Sequence, residues 1–149
     1  MASDIEASVQ AALDKLFDRD ADLLRNDVNE RTITHKLAEY LEAEFPEWHV
    51  DCEYNRNHDR TKRLKSLQRR TIAIDNTDGV SVFPDIIVHR RMTNKNLLVI
   101  EVKKSTSCES PDFDIEKLLA FKEELGYRHA LFLLLKTGSR QTGAELKWL

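Results

Sequence analysis

A chain of 149 residues, 41% hydrophobic and 33% charged, is long enough for one compact core and too short for two comfortable ones. No apolar run reaches bilayer length, and the opening Met-Ala-Ser-Asp-Ile-Glu lacks the basic region and apolar core of a signal peptide. The expectation is one cytoplasmic globular domain over 1–149, with no membrane partner and with Cys52 and Cys108 as free thiols.

The net charge of -3 conceals a segregated distribution. Residues 1–54 carry 14 acidic against 5 basic groups, whereas 55–70 carry 7 basic against one acidic. Charge separated in this way makes a directional field although the total is small.

In chain order, Ser3-Asp4-Ile5-Glu6 has the form of a capping box, and Ile5, Val9, Leu13, Leu16 and Phe17 follow at helical spacing, predicting a first helix over about 4–17. This helix and the acidic stretch after it (1–26) form an extension ahead of a core over about 27–135. A second helix starts near Asp27, where Asp27-Val28-Asn29-Glu30 resembles a cap, and ends before Pro46. Its apolar face is Ile33, Leu37, Tyr40 and Leu41, and at about 100° per residue Glu30 projects onto that same face. Trp48–Tyr54 alternates as a half-buried strand does.

The basic segment follows, with Arg56, Arg60, Lys62, Arg63, Lys65, Arg69 and Arg70, the residue types that contact phosphate when clustered. Thr71–Ile74 reads as a short strand, and Asp75–Gly79 as a turn. Two apolar runs come next, Val82–Val88 and Leu97–Lys103, joined by a link short enough to make an antiparallel hairpin. A helix capped by Asp112 or Asp114 has Ile115, Leu118, Leu119 and Leu125 on its apolar face and stops at Gly126. The run Ala130–Leu135 is a buried strand. A strand, a crossover helix and a strand imply a parallel pair, so the fold class is α/β with a mixed four-stranded sheet in the order αβββαβ.

The hairpin carries charge where a core strand should not. Glu101 and Lys103 share one face of their strand and Val102 the other, while Asp85 sits in the partner run. Two carboxylates buried side by side are costly unless a cation joins them. The bland alternative is an ion pair between Glu101 and Lys103 where the strand leaves the core. Glu145-Leu146-Lys147 repeats the acid-x-Lys triplet in a C-terminal stretch without a strand run, which shows how little the triplet means alone. His89, which would share the Asp85 face, reads as a surface residue or a substrate contact.

Pro84-Asp85 followed by Glu101-Val102-Lys103, between one helix and another, resembles the signature of the PD-(D/E)xK phosphodiesterase superfamily, the restriction-endonuclease-like nucleases, and in particular its small standalone members. The resemblance covers about 27–135. It implies a metal-dependent nuclease in which Asp85, Glu101 and the carbonyl of Val102 hold Mg²⁺, with Mn²⁺ able to substitute. It further implies that Lys103 orients or deprotonates the attacking water and that Glu30 is the helix carboxylate. Phosphodiester hydrolysis needs an activated water and compensation of charge developing on phosphoryl oxygens, both of which a hard divalent cation supplies. DNA is favoured over RNA as substrate because no aromatic stacking platform is evident. The other function class is a non-catalytic nucleic-acid-binding or protein-assembly module on the same fold. Concerted cleavage of two strands would require a homodimer.

Overall fold

The computed structural model describes residues 4–54 and 83–149, and the backbone of 56–57, 60–61, 63–64 and 80–81. The proposed cap at Ser3, the side chains of the basic segment and the Thr71–Ile74 strand with its turn lie outside the described residues.

The elements are α1 (Asp4–Arg19), α2 (Ala21–Arg25), α3 (Glu30–Glu44), β1 (His49–Cys52), β2 (Arg56–Asn57), β3 (Arg60–Thr61), β4 (Arg63–Leu64), β5 (Val80–Ser81), β6 (Ile86–His89), β7 (Asn96–Lys104), α4 (Asp112–Leu125), β8 (His129–Lys136) and β9 (Gly143–Trp148). The class is α/β, with four helices among the described residues and a main sheet of order β1-β6-β7-β8-β9. β6 and β7 form the antiparallel hairpin, β7 and β8 run parallel across α4, and β9 returns antiparallel on β8. The short strands pair separately, β2 with β3 and β4 with β5.

The main sheet has five strands, not four. The fifth is β9, which contains Glu145-Leu146-Lys147 and so overturns the expectation that this stretch forms no strand. Its signal is weak because only Ala144, Leu146 and Trp148 alternate inward, and each is only partly buried.

Two apolar layers cover the sheet. Ile86, Val88, Leu98, Ile100, Leu131 and Leu133 pack against Val9, Leu13 and Leu16 of α1 and Ile33, Leu37 and Leu41 of α3. Ile87, Val99, Ala130 and Phe132 face Leu118 and Phe121 of α4 and Tyr127 beyond it. β7 is buried almost throughout because it has a strand on either side and a helical layer on each face. Each fully buried Leu or Ile contributes about 1.5–3 kcal/mol from the removal of apolar surface from water.

Helix starts differ from the sequence reading. α3 is capped by Asn29, whose Oδ1 accepts from the Thr32 amide at 2.8 Å. Asp27 instead sits at φ 51° and pairs with Lys104 Nζ at 3.1 Å, tying the α3 entry to the end of β7. α4 has neither Asp112 nor Asp114 as its cap; it begins after Pro111, and Asp114 is engaged elsewhere. Gly126 does end α4, at φ 68° in the left-handed region. No described helix is long and apolar enough to cross a membrane.

Candidate active site

β6 starts at Ile86, later than the apolar run suggests, and Asp85 occupies a bend just before it. Pro84 has no amide to give a ladder, and its carbonyl accepts from Glu53 N–H at 3.0 Å on the β1 side. Pairing of Ile86 with Ile100, extended by one residue, sets Asp85 across from Glu101. Asp85 Oδ2 then accepts from the Val102 amide at 2.8 Å, so the side chain takes over where the backbone ladder stops.

Alternation along β7 turns Val102 toward the α1 and α3 layer and Glu101 and Lys103 toward α4. Glu101 is 1% exposed. Burial, and then the charge of Asp85, push its carboxyl well above the usual range, while Lys117 pulls the other way. Lys117 reaches from α4 to within 2.9 Å of Glu101 Oε1 and donates to the Phe83 carbonyl at 3.3 Å. Its approach to Oε1 is an ion-pair contact off the hydrogen-bonding direction, so Oε1 is buried with a cation beside it but no aligned donor.

Lys103 lies 2.8 Å from Asp114 and 3.8 Å from Glu109. Burial disfavours its ammonium, but the Asp114 contact and neighbouring carboxylates outweigh that and raise its pKa above the ordinary lysine value. In place of the alternative ion pair between Glu101 and Lys103 there are two crossed pairs, Glu101 with Lys117 and Lys103 with Asp114, both reaching from β7 to α4. Nothing in the apolar periodicity of α4 announces Lys117. The only available signal is a lysine one position before Leu118, within the turn that must face Glu101, while Leu119 from the expected apolar face is exposed.

Glu30, the first residue of α3, lines a cavity of about 290 Å³ together with Asp85, Glu53, Cys52 and His35. Burial, followed by the charge of Asp85, raises the Glu30 carboxyl; Lys103 and the Lys104 backbone oppose the rise. Asp85 and Glu30 therefore face one opening, with Glu101 and Lys103 behind Asp85 on the α4 side. Glu53, at φ 52°, turns out of the β1 alternation into the cavity and accepts from Arg31 at 3.1 Å. Burial and the charges of Glu53, Asp51 and Asp85 push the Cys52 thiol up to about 11.

His89 is buried, contrary to a surface reading. Its Nε2 is 2.7 Å from Asp51 Oδ2, and Arg91 Nε donates to the same oxygen at 2.9 Å. None of Asp51, His89 and Arg91 lines the Asp85 cavity.

Among the described residues no three His, Cys, Asp or Glu side chains gather closely enough to cage a metal ion. The donor set nevertheless fits a hard divalent cation better than a soft one. It consists of two adjacent carboxylates, Asp85 and Glu101, with an oxygen on Glu101 that lacks an aligned donor. Magnesium is commonly held by one or two carboxylates, with water and phosphate completing its shell. Comparison of the chain with family models, with curated proteins and with solved structures finds no match.

Proposed function

We propose that this chain is a magnesium-dependent nuclease of the PD-(D/E)xK, restriction-endonuclease-like class, hydrolysing phosphodiester bonds in DNA. The observation that carries the reading is the Asp85 carboxylate, fixed by the Val102 amide across from Glu101 with Lys103 and Lys117 on the same side of the sheet. The main-sheet succession α3, β1, β6, β7, α4, β8 supports it, with the short strands β2 to β5 inserted between β1 and β6 and β9 added at the end.

Bound at Asp85 and Glu101, with the Val102 carbonyl as a further oxygen, Mg²⁺ or Mn²⁺ would supply charge compensation and an activated water. Asp85 presents its carboxylate to the cavity and is held there by the Val102 amide. Lys117 keeps positive charge beside Glu101 and so favours its ionised form despite burial. Lys103, with its pKa raised, offers an ammonium to a phosphate oxygen and orients water rather than removing its proton. Glu30 lies across the opening from Asp85, where it can accept from a bound water. The basic segment from Arg56 to Arg70 supplies phosphate contacts.

The test is cleavage of single-stranded, duplex and branched DNA, with RNA alongside, in Mg²⁺ or Mn²⁺. Asp85→Ala and Lys103→Ala should each abolish cleavage while leaving the circular dichroism spectrum intact. Cleavage unchanged in either variant sinks the mechanism.

A second reading is a non-hydrolytic nucleic-acid-binding or assembly module. It is favoured by the crossed pairs of Glu101 with Lys117 and Lys103 with Asp114, which balance the buried charges without a metal. It predicts DNA binding that survives chelation of divalent ions and falls steeply with salt as counterions are released.

A further inference from the structure

β9 is an edge of the main sheet. It pairs with β8 from Leu131 opposite Trp148 to Lys136 opposite Gly143 without a register shift, and among the described residues no strand pairs with its outer side. The Leu149 amide donates to the Ala130 carbonyl at 3.0 Å, which fixes the phase of this ladder. In an antiparallel pair, opposed residues alternate between those that exchange both backbone hydrogen bonds and those that exchange none. Counting from Ala130 and Leu149, the exchanging pairs are Phe132 with Lys147, Leu134 with Glu145 and Lys136 with Gly143. The backbone groups of Ala144, Leu146 and Trp148 consequently point outward along the free edge.

A regular, unblunted edge is a template for another strand. β9 contains no proline and no bulge, and its charged residues, Glu145 and Lys147, are opposite in sign, exposed, and placed symmetrically about Leu146. We propose that β9 pairs with β9 of a second copy of this chain, antiparallel about a twofold axis through Leu146. In that register Leu146 exchanges hydrogen bonds with its counterpart, and Ala144 exchanges them with Trp148 of the other copy. Every outward N–H and C=O from Ala144 to Trp148 is satisfied.

Glu145 of each copy falls opposite Lys147 of the other, at the non-hydrogen-bonded positions where Cα atoms are about 4.5 Å apart and side chains come closest. The neighbouring registers that keep the hydrogen-bond phase are centred on Glu145 or on Lys147. They set Glu145 against Glu145 or Lys147 against Lys147, and like charges directly opposite are destabilising. Registers shifted by one residue set outward groups against inward ones. The sequence of β9 therefore selects one self-pairing. The occupant of the edge is a second copy because the charge pattern is complementary to itself. This interface is independent of the chemistry at Asp85, from which β9 is separated by β7 and β8.

Sedimentation velocity and light scattering on the full chain test it, with circular dichroism on each variant. The wild type should have the mass of two chains at tens of micromolar. Glu145→Lys and Lys147→Glu should each weaken the dimer by about tenfold or more, because each inverts two symmetry-related pairs, and the combined exchange should restore it. Leu146→Pro removes an outward amide that β8 does not use, and should give a folded monomer. A wild type that stays monomeric, a dimer indifferent to both single exchanges, or a double exchange that fails to restore pairing overturns the proposal.

Discussion

Lys117 on α4 holds its ammonium 2.9 Å from Glu101 Oε1 on β7, in a place where both side chains are largely shielded from water. Removing one partner of a buried pair leaves the other charge uncompensated, at a cost of about 3–5 kcal/mol. Lys117→Met should therefore lower stability to denaturant by that amount. Adding Glu101→Gln should recover much of the loss, since it removes the titratable carboxyl left buried without its cation. A double-mutant cycle by urea denaturation gives the coupling, and additive losses would show that the two groups do not interact.

The same pair sets a pH dependence. Burial, and then the charge of Asp85, raise the Glu101 carboxyl well above the ordinary glutamate range. The folded chain thus keeps a proton that the unfolded chain has released, and folding stability falls as pH rises above about 4.5 toward the folded value. Lys117→Met raises the folded value further and extends the falling window to higher pH, whereas Glu101→Gln abolishes it. Melting temperatures across pH 4–9 distinguish these courses; a Lys117→Met window that ends no higher than that of the wild type would contradict the assignment.

Asp51 has the opposite sign. Burial raises its carboxyl, but hydrogen bonds from His89 and Arg91 outweigh burial and hold it well below the usual carboxylate range. Its contribution is present above pH about 4 and is lost as pH falls below that. Asp51→Ala removes a hydrogen-bond partner of His89, which is 1% exposed, and should cost about 1–3 kcal/mol at neutral pH. Asp51→Asn should flatten the acid limb of the stability profile, which urea midpoints between pH 2 and 6 can follow.

How far the site could be read from the sequence depends on the range of the forces involved. The β6–β7 hairpin was legible because apolar runs and a short connection are local, and they sufficed to bring Asp85 beside Glu101. The parallel β7–β8 pair was legible because a crossover helix lies between its strands. The partners of the lysines were not legible. Lys103 turns to Asp114 and Glu101 to Lys117 because α4 packs across β7, and that docking is set by Leu118 and Phe121 against Val99 and Phe132. β9 escaped for a related reason: an edge strand with one half-buried face lacks the long apolar run that reveals β8. Asn29, rather than Asp27, caps α3 because Asp27 is drawn to Lys104 at the far end of β7.

The Lys103 to Asp114 contact bears on the proposed chemistry. With its pKa raised above the ordinary lysine value of 10.5, Lys103 remains an ammonium through neutral pH, so in the proposed reaction it would serve as a cation and not as a base. Asp114→Asn removes the contact that holds that value up, while Lys103 at its lower value still remains protonated near pH 7. Cleavage at pH 7 should consequently drop far less in Asp114→Asn than in Lys103→Ala, and any inflection between pH 7 and 9 should lie at the same pH in the wild type and in Asp114→Asn. An inflection that moves to lower pH in Asp114→Asn would show that Lys103 supplies its neutral amine as the base. In that case the roles divide differently, with Lys117 left as the cation beside Glu101 and Lys103 as the group that takes the proton from water.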